Sequence, residues 1–191
     1  MRSDFEEDAQ DIAALLGDGA HLVGHSYGAI GALYAAALRP QAVRSLVINE
    51  PPAFRLLKGD AAADAIVAAQ AALRRDVEPR VFLEAFIKTI TTPGAPPPPP
   101  DPLPPALEQG VRTTMMARPP GEAEIPLDAL RSTSFPKLVT SGGHHPVFEA
   151  ICDVLHRELQ TQRAIIRGAG HNVPFTGAPF NERLEAFLKG T

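Results

Sequence analysis

The stretch AHLVGHSYGAIGALYAAALRP, residues 20–40, constrains the architecture more than any other part of the chain. Its first five residues, AHLVG, read as a short buried strand. The turn Gly24-His25-Ser26-Tyr27-Gly28 follows, and then a helix that stops before Pro40. Glycines stand two residues before and two residues after Ser26. Ala29, Gly31, Ala32, Ala35 and Ala36 continue the small-residue run. Such a run is expected where helix and strand backbones approach closely. A strand turned sharply into a helix that packs back on it is the repeating unit of a parallel α/β sheet.

The rest of the chain repeats that alternation. Strands are predicted at 20–24, 43–48 (VRSLVI), 137–140 and 163–167 (RAIIR), with helices at 146–159 and 180–189. A further helix is predicted over 3–16, SDFEEDAQDIAALL. Ser3 and Glu6 have capping-box spacing, Phe5, Ala9, Ile12 and Leu16 share a face, and Gly17 can close it. The long interval between the second and third strands carries no strand signal. It reads as helix over 61–75 and 79–90. The run TTPGAPPPPPDPLPP then reads as extended polyproline, a rigid spacer or a ligand for a proline-binding domain.

Composition removes several classes of function. With 45% hydrophobic residues the chain can build a core. A net charge of -4 gives no electrostatic case for nucleic acid or an anionic membrane. No apolar run reaches the roughly 18 residues of a membrane-spanning helix. The single cysteine, Cys152, allows no internal disulfide and reads as buried on a helix face. The opening MRSDFEEDAQD is too acidic for a secretory signal, so a cytoplasmic protein is expected.

Gly24 to Gly28 fits G-x-S-x-G between a strand and a helix. A serine on that turn is strained, with its hydroxyl above the sheet, and the Tyr27 backbone N–H at the helix start can donate to an oxyanion. The other reading is a small-residue turn needed only for packing.

HLVGHSYG, VRSLVINEPPAF, PKLVTSGGHHP and IIRGAGHNVPF, in that order, resemble the α/β-hydrolase superfamily over nearly the whole chain. The resemblance implies a partial α/β-hydrolase fold. This would be one domain over 1–191, with a mainly parallel sheet of about four strands flanked by helices and a helical, proline-rich cap inserted over 51–133. It implies a serine hydrolase acting on an ester-like carbonyl of a small-molecule substrate through an acyl-enzyme, with no cofactor. Ser26 would be the nucleophile, His171 the general base and Tyr27 the oxyanion donor. In similar proteins the acid most often follows the strand corresponding to LVTSG. In this sequence that turn has no Asp or Glu, and His145 stands in its place. Others carry the acid one strand earlier, which points to Glu50 in INEPP as the orienting acid. Glu149, Asp153 and a dyad assisted by water remain as alternatives. His25, His145, Phe54 and Phe86 are pocket candidates, and Phe82, Met115 and Met116 are expected in the cap. His144 is expected at the pocket rim. No metal is expected, because adjacent histidines diverge and no Asp, Glu or Cys at ligand spacing accompanies them.

The resemblance also starts late. Its helix 3–16 corresponds to the one before the strand AHLVG, so the fold is expected to be truncated at its N-terminus, without the loop that supplies a second oxyanion donor. That would leave AHLVG as an exposed sheet edge, with a homodimer through it as one consequence and impaired activity as another. The rival expectation is a non-catalytic fragment, or a binding or assembly module on the same scaffold.

Overall fold

A computed structural model of the chain describes residues 4–91 and 98–190. Four strands, β1 (Ala20–His25), β2 (Val43–Asn49), β3 (Lys137–Ser141) and β4 (Gln162–Ile165), form one parallel sheet in the order β1-β2-β3-β4. The register pairs His25 with Asn49, Asn49 with Thr140, and Ser141 with Ile165. The carboxyl ends of all four strands therefore reach one edge of the sheet together. Ligands gather at that edge in α/β sheets.

Alternation along β2 builds the two faces. Leu46 and Ile48 join the main core with Leu33, Ile151 and Leu155, contributed by α2 (Tyr27–Leu38) and α7 (Pro146–Leu159). Val47 points the other way and packs with Leu138 and Phe187, the latter on α8 (Ala178–Lys189). Helix α1 (Phe5–Leu15) lies on α2 through Ala9, Ala13 and Ala35, where small side chains let the backbones approach. Ser3, the expected cap of α1, lies outside the described residues. The Asp4 carboxylate accepts the Glu6 N–H at 2.9 Å and caps the helix. Among the described residues β1 pairs with β2 alone, and Val23 on it is 43% exposed.

Between β2 and β3 run α3 (Ala61–Ala71), α4 (Pro79–Ile90), α5 (Pro105–Met116) and the short α6 (Leu127–Arg131). Phe82, Leu103 and Val111 give this segment a small core of its own. The α5 helix follows the polyproline run, in a stretch given no element of its own from the sequence. It starts at Pro105, where a missing N–H costs nothing at a first helical position. Residues 92–97 of the proline-rich run lie outside the described residues. No helix among the described residues is long and apolar enough to cross a membrane.

Candidate active site

Ser26 follows the last residue of β1 with φ 51° and ψ −126°, a conformation that is costly for a residue with a side chain. The turn is held from both sides. The Ser26 N–H donates to the Asn49 carbonyl at 2.9 Å, and the Asn49 side-chain amide donates to the Gly24 carbonyl at 2.8 Å. Asn49 also accepts the Thr140 hydroxyl at 2.6 Å, so one buried amide ties the ends of β1, β2 and β3. Sequence reasoning passed over Asn49. The available signal was an amide directly after the apolar run Leu46-Val47-Ile48. A Cβ on Gly24 would sit 2.7 Å from the Ala29 Cα, so the close approach of strand and helix is real there. At Gly28 a Cβ meets nothing within 4 Å, which corrects the expectation that both glycines serve that approach.

One residue beyond β2, Glu50 also lies in the left-handed region, at φ 48°. Its N–H donates to the Thr140 carbonyl at 3.0 Å, which continues the β2–β3 ladder past the strand end. The side chain has no exposed surface. One carboxylate oxygen, Oε1, accepts the Gly142 N–H at 2.5 Å. The other, Oε2, lies 3.4 Å from His171 Nδ1. Burial alone would push this carboxyl up. The contacts with His144, His171 and the Gly142 N–H outweigh it and hold the group down at about 2.

His171 stands on the loop after β4, and its Nε2 lies 2.8 Å from Ser26 Oγ. A carboxylate at Nδ1 selects the tautomer that carries its proton there, leaving Nε2 to accept from the hydroxyl. The loop is drawn in by a contact of glycines: a Cβ on Gly142 would lie 1.9 Å from the Gly170 carbonyl oxygen. His25 Nε2–H donates to the His171 carbonyl at 2.8 Å, a second tie on the same loop. Burial pushes the His25 imidazole down, as does the neighbouring His171 ring, which keeps it neutral in this role. Tyr27 is the first residue of α2, so its N–H lies at the positive end of the helix dipole, next to Ser26. Its phenol is pushed up to about 12 by burial, with Asp8 and Asp4 adding to the effect.

The remaining candidates are dispersed. Glu149 accepts from the Ser141 hydroxyl, the Gly143 N–H and Arg163, and Asp153 also accepts from Arg163. Neither carboxylate contacts His171. His145 caps α7, its Nδ1 accepting the Val147 N–H at 3.2 Å. Phe54 is 2% exposed and packs edge-on to Phe148 inside the core. Phe86 does line a cavity of about 320 Å³ that opens onto Ser26 and His171, with Leu73, Phe82 and Ile90 among its other walls. Cys152 is fully buried with its thiol pushed well up by burial, which leaves it inert.

Glu50, His144 and His171 bring ligand-capable atoms within 4.8 Å of one another. The carboxylate that sequence spacing did not offer to the histidines therefore arrives from β2. His171 meets Glu50 through Nδ1 while its Nε2 lies on Ser26, and Glu50 Oε1 is already on the Gly142 N–H. A hydroxyl, an imidazole and a buried carboxylate in series can carry a proton off the hydroxyl and stabilise the imidazolium that results.

The profile of the alpha/beta hydrolase family matches residues 2–186. Among solved structures, the carboxylesterase CesB from Bacillus subtilis is 22% identical, with TM-score 0.60 over 98% of this chain and 66% of its own. MenH from S. aureus is 17% identical, with TM-score 0.61 over 98% of this chain and 76% of its own. The hydrolase olei00960 from Oleispira antarctica is 14% identical, with TM-score 0.67 over 98% and 73%. This chain thus spans about two thirds to three quarters of the length of these structures. No curated protein matches it. At such identities the likeness is one of fold.

Proposed function

This chain belongs to the alpha/beta hydrolase family, and we propose that it is a serine hydrolase acting on an ester-like carbonyl through an acyl-enzyme. The observation that carries the reading is the Ser26 Oγ to His171 Nε2 contact of 2.8 Å, with Glu50 behind the same imidazole. His171 takes the Ser26 proton as Oγ attacks the carbonyl carbon. The Tyr27 N–H stabilises the oxyanion. The imidazolium, held by Glu50, gives its proton to the leaving alcohol as the C–O bond breaks. Water, deprotonated by His171, then attacks the acyl-enzyme and releases the acid and the free serine. We take the segment between β2 and β3 as a cap, with an apolar part of the substrate in the cavity beneath it. A cytoplasmic setting suits the single free thiol.

A fluorophosphonate probe tests this directly. We expect stoichiometric labelling of Ser26 that disappears in Ser26→Ala. No labelling in a sample shown to be folded by circular dichroism sinks the hydrolase reading and leaves the non-catalytic module in its place.

A further inference from the structure

The hydrolase reading uses one oxygen of Glu50. The other oxygen faces a second imidazole: His144 Nδ1 lies 3.6 Å from Oε1. That distance is ion-pair reach rather than a hydrogen bond. His144 sits in the turn between β3 and α7, 15% exposed, and its ring packs 5.7 Å from Phe148. It also engages the backbone of Ile90, the last residue of α4. Its ring lies 6.1 Å from that of His171.

We infer that His144 is a positioning residue for the Ser26–His171–Glu50 group, holding the far oxygen of Glu50 and setting where the acidic limb of the reaction's pH profile falls. This inference rests on the hydrolase reading above. Two physical consequences follow from one carboxylate between two imidazoles. The carboxylate cannot rotate, because each oxygen has its own partner, so Oε2 stays toward His171. The charge is also shared. A proton on His144 offsets part of the Glu50 field, and its positive charge opposes a second proton on the neighbouring ring. The charged and titratable groups facing His144 are Glu50, Glu149, His145 and His171. Burial works against a proton on His144, and Glu50 outweighs it, so the imidazole is pushed up and keeps its proton to higher pH. Glu50 thus favours a charged His144 beside the imidazole that has to take the Ser26 proton.

Removing the charge has a signed outcome. Without His144 the whole Glu50 field acts on His171, which holds a proton to higher pH, and the base is lost sooner on acidification. Two variants separate charge from shape. His144→Phe keeps a ring and drops both the hydrogen-bonding and the charge. His144→Gln keeps a polar N–H near Oε1 without a charge. We expect the acidic limb of fluorophosphonate labelling rate, and of kcat/KM on a p-nitrophenyl ester, to move up by about 0.5–1 pH unit in both. We expect Gln to recover most of the plateau rate that Phe loses. The ring resonance of His171, followed by 13C-edited NMR, is expected to shift its titration midpoint in the same direction. A limb and a midpoint unchanged in both variants, with only the plateau or the stability lowered, would overturn the inference and leave His144 as packing. If the wild type is never labelled, the hydrolase reading fails separately. The NMR midpoint still decides the role of His144. Should His144→Phe fail to fold, the Gln variant carries the test alone.

Discussion

Glu50 combines three features that are individually expensive: a left-handed backbone, complete burial and a full negative charge. A buried carboxylate survives only when hydrogen bonds and opposite charges replace its hydration. Gly142, His144 and His171 do that. The sign of the resulting pH dependence follows from the depressed value. The folded-state value of about 2 lies below the ordinary 4.5, so the stabilisation is fully present above 4.5 and is lost as pH falls from there toward 2. His144 is protonated throughout that window and does not confuse it. We predict that wild type loses about 3 kcal/mol through this group as pH falls across the window, since protonating one carboxylate costs about 1.4 kcal/mol for each pH unit separating its folded and unfolded values. Glu50→Gln should lack that component, as urea denaturation at a series of pH values will show. Its kcat at pH 7 should fall by about 10³–10⁴, the scale seen when an orienting carboxylate becomes an amide. Equal slopes of stability against pH in the two proteins would contradict the assignment.

At the scale of elements, what matters is how strand ends are tied to loops. The strand–turn–helix unit around Ser26, the four strands and helices α4 and α7 were legible from periodicity, glycines and proline stops. Glu50 was legible as a candidate acid only by motif order: GGHHP holds no carboxylate, and the residue after VRSLVIN is one. Asn49 and the second imidazole on Glu50 were not legible. Their partners are set by parallel register between β2 and β3, sequence separations of 91 and 94 residues, and no local spacing encodes that. Helix α5 was hidden because a proline marks a helix start as well as a break, and the run before it pointed to the break. Gly142 is the element-scale joint, since it lets β3's end touch the His171 loop. Gly142→Ala is predicted to push that loop away, lowering kcat/KM by about 10² or more, the scale of a 1 Å misplacement. Its stability cost should be about 1–3 kcal/mol, as for overpacking elsewhere. Gly28→Ala, with open space for its Cβ, is the control and should stay close to wild type in thermal denaturation. A Gly142→Ala enzyme with unaltered kcat/KM would mean the glycine contact does not place His171.

Across the whole molecule, the sheet edge holds Ser26 and His171, and the segment between β2 and β3 supplies most of the cavity walls above them. Phe82 and Phe86 stack at 6.0 Å and 12° on the α4 side of the cavity. Two arginines also line it, and Arg75 donates to the Met115 and Ala117 carbonyls. Arg118 bridges Asp4, Glu6 and Glu122 and lies 4.4 Å above the Phe5 ring, tying the segment to α1. A cavity of about 320 Å³ with such walls favours an uncharged, apolar group beside the ester. Burying each methylene is worth about 0.8 kcal/mol, so kcat/KM can rise by at most roughly fourfold per carbon while space remains. For p-nitrophenyl esters we predict a rise from acetyl through hexanoyl, followed by a plateau or fall once the cavity is full. Phe86→Trp should move that break to shorter chains and Phe86→Ala to longer ones, without changing the labelling of Ser26 by a small fluorophosphonate. A rate that ignores chain length in all three proteins would mean the acyl group lies outside this cavity. A break that stays fixed across the variants would place the limiting wall away from α4.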